Sequence, residues 1–200
     1  MTGMALLAVP VGHDSTTLRA RLLESARELT CDQGWSAVTM GLLGERVGVS
    51  RQSVYNEVGS KSDLAQALVQ REFERFLDVV DSPIESSSSI RAAVEGSALA
   101  VFELGADNPL LLAVISNAHG ANSELLPLLT TDVEPLIGLA VAHVGGLLSA
   151  RYEFSDMTEA EFAIAMNVIV RLVFSLVMQP GGTPRDDAAE VGWAAGRLLK

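Results

Sequence analysis

The sequence predicts an all-α protein of about nine helices, an N-terminal three-helix unit followed by a larger helical domain. Three observations carry this. The 200 residues are 48% hydrophobic but only 5% aromatic, and Ala and Leu dominate, which favours helices packed on helices. Apolar residues recur at three- and four-residue steps and do not alternate with polar ones. Between these stretches lie Ser, Thr, Asn, Gly and Pro at positions that start and stop helices.

The elements follow in order. Residues 1–13 open "MTGMALLAVPVGH", without a basic start and with too short an apolar run for a signal peptide, and read as a disordered arm. A first helix is expected from Asp14 or Ser15, with Leu18, Leu22, Ala26 and Leu29 on one face and Gly34 at its end. Thr39 is an N-cap for a short second helix holding Leu42, Leu43, Arg46 and Val47. Gly44 should weaken that helix by roughly 1 kcal/mol. Gly48 suits a left-handed C-cap, Val49 would plug the turn, and Ser50 caps a third helix from Arg51 to about Val58. Gly59 stops it. Ser60 and Asp63 form a capping box that opens a long fourth helix through Val80.

The stretch "DSPIESSSS" reads as a linker, with a division near residues 82–89. A helix from Ile90 to about Leu104 follows. Asn108 then caps a helix with Pro109 at its first position, running to about His119. "GANSE" opens another, which carries Pro127 near its first turn and Pro135 further in, where the ring must kink or break it. The last two helices are expected at about Thr158–Gln179 and Arg185–Leu199, separated by "PGGTP".

Charge is unevenly spread. The chain carries −11 overall, which argues against a general nucleic-acid binder. Through Asp63, six basic residues meet seven acidic ones, so −10 of that charge belongs to the remaining 137 residues. The single cysteine, Cys31, excludes an internal disulfide framework and a cysteine-rich zinc site. Ile164–Met178 is very apolar but contains Asn167, Arg171 and Ser175, and is shorter than the ~20 residues of a membrane span. A soluble cytoplasmic protein with no membrane partner is expected. No cofactor and no metal are expected, because no paired metal ligands occur at helical spacing. An enzyme is disfavoured: no Ser/His/Asp set or glycine-rich phosphate loop appears, and the histidines stand apart at 13, 119 and 143.

Two short helices joined by a tight glycine turn make a helix-turn-helix, whose second helix can lie in a DNA major groove. Arg51 suits paired hydrogen bonds to guanine and Gln52 to adenine. Ser53 and Asn56 are short polar groups on the same side, and the Tyr55 hydroxyl can reach a phosphate. Thr39, Ser50 and Lys61 stand at helix N-termini, where free N–H groups attract phosphate oxygens. Over Ala26–Leu64, "ARELTCDQGWSAVTMGLLGERVGVSRQSVYNEVGSKSDL", the chain resembles the TetR family of bacterial transcriptional regulators. The carrying residues are Gly34, Thr39, Gly48-Val49-Ser50, Tyr55 and Lys61. Glu57 and Val58 depart from the histidine and aromatic residue that the family often has there. The resemblance implies an N-terminal DNA-binding domain (14–63), a ligand-binding and dimerisation domain (64–200), a homodimer, and repression relieved by a small molecule.

The C-terminal part offers surfaces for both roles. Helix Thr158–Gln179 is apolar almost all round and needs cover on two sides. Its Phe162, Met166, Ile169 and Val173, with Ala188, Gly192, Ala195 and Leu199 of the last helix, are the candidate dimer interface. A two-fold pair would set two recognition helices about one DNA turn apart, on a near-palindromic site in double-stranded DNA. Phe102, Leu111, Leu112, Ile115 and Val133 are candidate walls of an effector pocket, with Asn117 and His119 as polar anchors. The effector's identity is open. The alternative function is a helical interaction module that uses the helix-turn-helix to hold a protein partner.

Overall fold

The computed structural model describes residues 17–116 and 125–200. These form eleven helices and no strand: α1 Leu18–Gln33, α2 Met40–Val47, α3 Arg51–Val58, α4 Lys61–Asp78, α5 Asp81–Ser86, α6 Ile90–Ala106, α7 Pro109–Ser116, α8 Leu125–Thr130, α9 Glu134–Arg151, α10 Glu159–Met178 and α11 Pro184–Leu198. Nine have eight residues or more, while α5 and α8 are six-residue pieces. A 3-10 turn, Trp35–Ala37, joins α1 to α2.

Caps explain most of the helix starts. Thr17, Thr39, Ser50, Ser60, Ser89, Thr158 and Thr183 each accept a hydrogen bond from a backbone N–H of the first turn. Asn108 does the same for α7, its Oδ1 accepting from Leu111 N–H at 2.9 Å. Each such bond meets a donor that the helix cannot satisfy itself.

Several boundaries differ from expectation. The first helix starts at Leu18 behind Thr17, not at Asp14 or Ser15. The fourth ends at Asp78, because Val79 and Val80 turn the chain into α5. The expected linker is partly helical. Asp81–Ser86 makes a turn and a half, with Ile84 buried and Pro83 where an N–H is not needed, leaving only the serines as a loop. Pro135 does break its helix: α8 ends at Thr130, and α9 begins anew with Pro135 in its first turn.

Two layers of packing follow. α1, α2 and α3 close on Leu22, Ala26, Leu29, Leu43, Val54 and Val58. α4 leans on this unit through Leu64, Ala65 and Leu68, then continues into the second layer with Val69 and Phe73. There α6 and α11 cross closely. A Cβ on Gly192 would stand 2.6 Å from the Glu95 Cβ, so only glycine permits this approach.

That crossing covers part of the expected dimer surface within one chain. Met166, Ile169, Ala188, Gly192, Ala195 and Leu199 are buried within their own chain. Phe162 packs on Phe154 with ring centroids 4.6 Å apart, and Val173 lines an internal cavity. The small residues of α11 serve the α6 crossing. The large apolar side chains left exposed on the last two helices are Ile164 (65% exposed), Val168, Trp193 (58%) and Leu198. The length argument against a membrane span also changes. Leu125–Arg151 and Glu159–Met178 are both long and apolar enough to cross one by length and composition, a test that buried core helices also pass. Arg171 interrupts the second, its Nη2 donating to both carboxylate oxygens of Glu134 of α9 at 2.8 and 2.6 Å.

Three capping boxes tie stability to pH. The N–H and hydroxyl of Ser60 hold Asp63 below the ordinary carboxylate range; Thr158 does so for Glu161, and the hydroxyl and N–H of Thr183 for Asp186. With folded pKa values depressed, this stabilisation is complete above the unfolded carboxylate pKa and is lost as pH falls through the folded values. A triple variant (Asp63→Asn, Glu161→Gln, Asp186→Asn) is expected to melt below wild type by a constant gap above about pH 5. The gap should close in acid, read by thermal denaturation from pH 7 downward.

Candidate nucleic-acid interface

The turn between α2 and α3 sets the geometry of this surface. Gly48 takes the left-handed conformation (φ 81°, ψ 35°), and the Gly48 and Val49 N–H groups both donate to the Gly44 carbonyl at 2.8 Å. A Cβ on Gly44 would come 2.7 Å from the Val49 carbonyl oxygen. Gly44 is therefore no weak point in α2. Its bare backbone lets the start of α3 fold back over it.

Two arginines of α1 fix the far ends of the motif. Arg21 donates to the Val47 carbonyl at 2.7 Å, and Arg19 to the Glu57 carbonyl at 2.9 Å. Each cation thus meets the C-terminal end of a helix, where carbonyls are unpaired and the dipole is negative. Sequence reading missed this role; basic residues one face of α1 away from a glycine-ended helix were its only signal. Arg46 pairs with Glu28 at 3.7 Å and Arg27 with Glu72 at 3.5 Å. Most of the positive charge in this unit thus holds it together.

The outer face of α3 is different. Val54 and Val58 point inward, while Arg51, Gln52, Tyr55, Asn56 and Glu57 are exposed. The side chains form two rails four residues apart: Arg51 donates to the Tyr55 hydroxyl at 3.3 Å, and Gln52 to Asn56 Oδ1 at 3.0 Å. The Tyr55 hydroxyl also pushes the Arg51 pKa above its ordinary value. Both partners lie in α3 itself, so these rails order the side chains without turning them away from a ligand. Ser50 caps α3 by accepting from Ser53 N–H, and the two hydroxyls stand 2.9 Å apart. Tyr55 is 38% exposed. Thr39 caps α2 by accepting from Leu42 N–H at 3.2 Å. Lys61, in the first turn of α4, donates to the Trp35 carbonyl at 3.1 Å, with its ammonium 5.2 Å from the centre of the Trp35 ring. An ammonium has two further N–H groups for a phosphate. Glu57 faces solvent and is not paired with Arg46.

A cavity of about 140 Å³ lies between α4, α6, α7, α8, α9 and α10. Phe73, Phe76, Val101, Leu111, Val114 and Val173 are among its walls. Among the described residues, the polar ones lining it are Glu72 and Ser97, and both are already bonded within the protein. Of the expected pocket residues, Leu111 lines it. Phe102 is buried elsewhere in the core, Leu112 is exposed, and Val133 sits ahead of α9 outside the cavity wall. The side chain of Ile115, and Asn117 and His119 entirely, lie outside the described residues. His143 bonds Asp81 at 2.7 Å, tying α9 to α5. Burial pushes the Cys31 thiol pKa up, which makes it a poor nucleophile.

The turn yields a test. Gly44→Ala should raise the intrinsic helix propensity of α2, yet it is expected to destabilise the protein by about 1–3 kcal/mol, because the new methyl meets backbone that must shift. Denaturant unfolding of the two proteins measures the difference.

Comparison with known proteins agrees with this geometry. Residues 22–68 match the family model for bacterial regulatory proteins of the tetR family, and residues 89–197 match the bacterial tetracyclin repressor C-terminal domain. The HTH-type transcriptional regulator AlkX of Mycobacterium tuberculosis is 31% identical over 176 residues, covering 87% of this chain and 81% of its own. The HTH-type transcriptional activator FasR of Mycolicibacterium smegmatis is 32% identical over 81 residues, 38% of this chain and 37% of its own. The crystal structure of the TetR family repressor AlkX from Dietzia sp., implicated in biodegradation of n-alkanes, superposes with a TM-score of 0.71 at 25% identity, over 92% of this chain and 96% of that one. With an exposed α3 seated on a glycine turn and both parts of the chain matched, the protein belongs to the TetR family of bacterial helix-turn-helix transcriptional regulators.

Proposed function

We propose that the chain acts in the cytoplasm as a homodimeric, sequence-specific repressor that binds a near-palindromic operator and is released by a small hydrophobic effector. The observation that carries this reading is the outer face of α3. Arg51, Gln52, Tyr55 and Asn56 stand exposed, ordered by each other and not by the rest of the protein. Arg51 would read guanine and Gln52 adenine, while Tyr55, Lys61 and the Thr39 and Ser50 helix starts would hold phosphates. A second copy of the chain would cover Ile164, Val168, Trp193 and Leu198, and this supports a dimer through α10 and α11. The walls of the cavity support an effector held by shape and apolar burial. The implication of the Dietzia relative in n-alkane biodegradation agrees with a hydrophobic molecule. Docking of a protein partner on α3 fits less well, since most of what α3 exposes is polar or charged.

Selection of bound duplexes from a random pool tests the reading. It should return two related half-sites in inverted repeat, and affinity for the selected duplex should fall steeply with salt. An interaction module would enrich no sequence. On that duplex, Tyr55→Phe and Lys61→Ala are expected to weaken binding to selected and random DNA alike. Arg51→Ala or Gln52→Ala should instead cost about 1–3 kcal/mol on the selected duplex only, read by fluorescence anisotropy. Equal losses on every sequence would argue against base readout. Ile164→Glu combined with Trp193→Glu should give a folded monomer by sedimentation, with operator binding largely lost.

A further inference from the structure

The cavity wall contains one buried carboxylate, and its bonding is lopsided. Glu72 sits midway along α4 and is 8% exposed. Its Oε1 accepts a 2.6 Å hydrogen bond from the Asn108 amide, itself buried. Its Oε2 lies 3.4 Å from Arg75 Nη1, which donates to it, and 3.5 Å from Arg27 Nε of α1. That Arg27 nitrogen is buried and has no hydrogen-bond partner. The carboxylate is thus held tightly on the α7 side and loosely on the α1 side.

We propose that Glu72 is the switch point through which filling of the cavity reaches α1, and from there α3. The inference rests on the reading that the cavity takes an effector. α7 supplies Leu110, Leu111 and Val114 to the cavity wall, and it also rests on α1. A molecule in the cavity presses this face of α7 outward. Asn108 caps α7 and moves with it, so the short bond to Glu72 is lost. A buried carboxylate without its donor is costly, and Arg27 Nε, already at ion-pair distance from Oε2 but not hydrogen-bonded, is the donor that can close on it. In this switch Glu72 has two arrangements, one with Asn108 on Oε1 and Arg27 held off at 3.5 Å, the other with Asn108 released and Arg27 closed to hydrogen-bond distance, and occupancy of the cavity biases the choice. The second draws α1 toward α4. Because Arg19 and Arg21 of α1 grip the ends of α3 and α2, the recognition helix follows.

The test compares four full-length proteins on the selected duplex by fluorescence anisotropy: wild type, Asn108→Ser, Glu72→Gln and the double variant. Serine keeps the cap of α7, but its hydroxyl falls short of Glu72. Asn108→Ser alone is expected to lower operator affinity ~10-fold with nothing added, the size of a typical coupling. Glu72→Gln removes the charge that seeks Arg27, so adding Asn108→Ser to Glu72→Gln should cost no further affinity. An Asn108→Ser protein that melts like wild type and binds DNA unchanged overturns the proposal. So does a double variant weaker than Glu72→Gln by the same factor that Asn108→Ser costs wild type, since the loss would then be structural. A second route avoids Asn108: Val114→Phe fills the cavity with a ring, and its loss of affinity must vanish when Arg27→Met is added. n-Hexane is the ligand probe. If it raises the melting temperature of wild type and of Glu72→Gln but releases DNA only from wild type, both relay and cavity reading stand. If it raises neither while the variants behave as expected, the relay stands and the effector reading fails.

Discussion

Helix α4 belongs to two cores at once, and most of the molecule's behaviour depends on that. Leu64, Ala65 and Leu68 complete the small N-terminal unit, while Val69, Phe73 and Phe76 wall the cavity in the second. The N-terminal unit closes around few large side chains, and a unit of that size has little stability of its own. Without α4 it would lose a wall, and without the N-terminal unit the first turns of α4 would expose three leucine- and alanine-sized faces to water. Rigid sharing of one helix also means that neither core can change shape unnoticed by the other. The ion pairs across α1 and α4, Glu24 with Arg71 at 2.8 Å and with Arg75 at 3.7 Å, lie along this shared wall.

The acidic charge and the sparse cations of the N-terminal unit make sense together. Arg19, Arg21, Arg27 and Arg46 all meet carbonyls or carboxylates within the chain. In the proposed role, attraction to DNA would then rest on a few groups, Arg51 and Lys61 foremost, and on helix N-termini. A protein built this way gains little from bulk charge and depends on a well-shaped face. The Arg51–Tyr55 and Gln52–Asn56 rails serve that need, because side chains already ordered lose less freedom on binding.

Much of the fold was legible because local chemistry decides it. Thr39, Gly48, Ser50, Ser60, Asn108 and Thr158 sit where the caps and turns are, and each acts within three residues of itself. What could not be read depends on partners distant in sequence. Gly44 looked like a defect until the Val49 carbonyl was found above it. Gly192 and Ala195 looked like a dimer seam, but small residues signal a close helix crossing without saying whose helix crosses. Here it is α6 of the same chain. Trp193, exposed beside Arg197 with its guanidinium 5.6 Å from the ring centre, was the better pointer to an uncovered surface. Among pocket residues, the run Leu110-Leu111-Leu112 offers no polar break to tell Leu111, which lines the cavity, from Leu112, which is exposed. Glu72 was passed over because, between Arg71 and Glu74-Arg75, it reads as one more charge on a solvated helix face.

The proposed role turns on whether the start of α3 meets base edges in the major groove. Dimethyl sulfate protection of guanine N7 on the bound duplex measures this directly. The account predicts that the wild-type protein shields one or more guanines in each half-site, and that Arg51→Ala exposes one of them while the surrounding protection persists. Guanine N7 positions that stay fully reactive under saturating protein, or a protection pattern indifferent to Arg51, would contradict it.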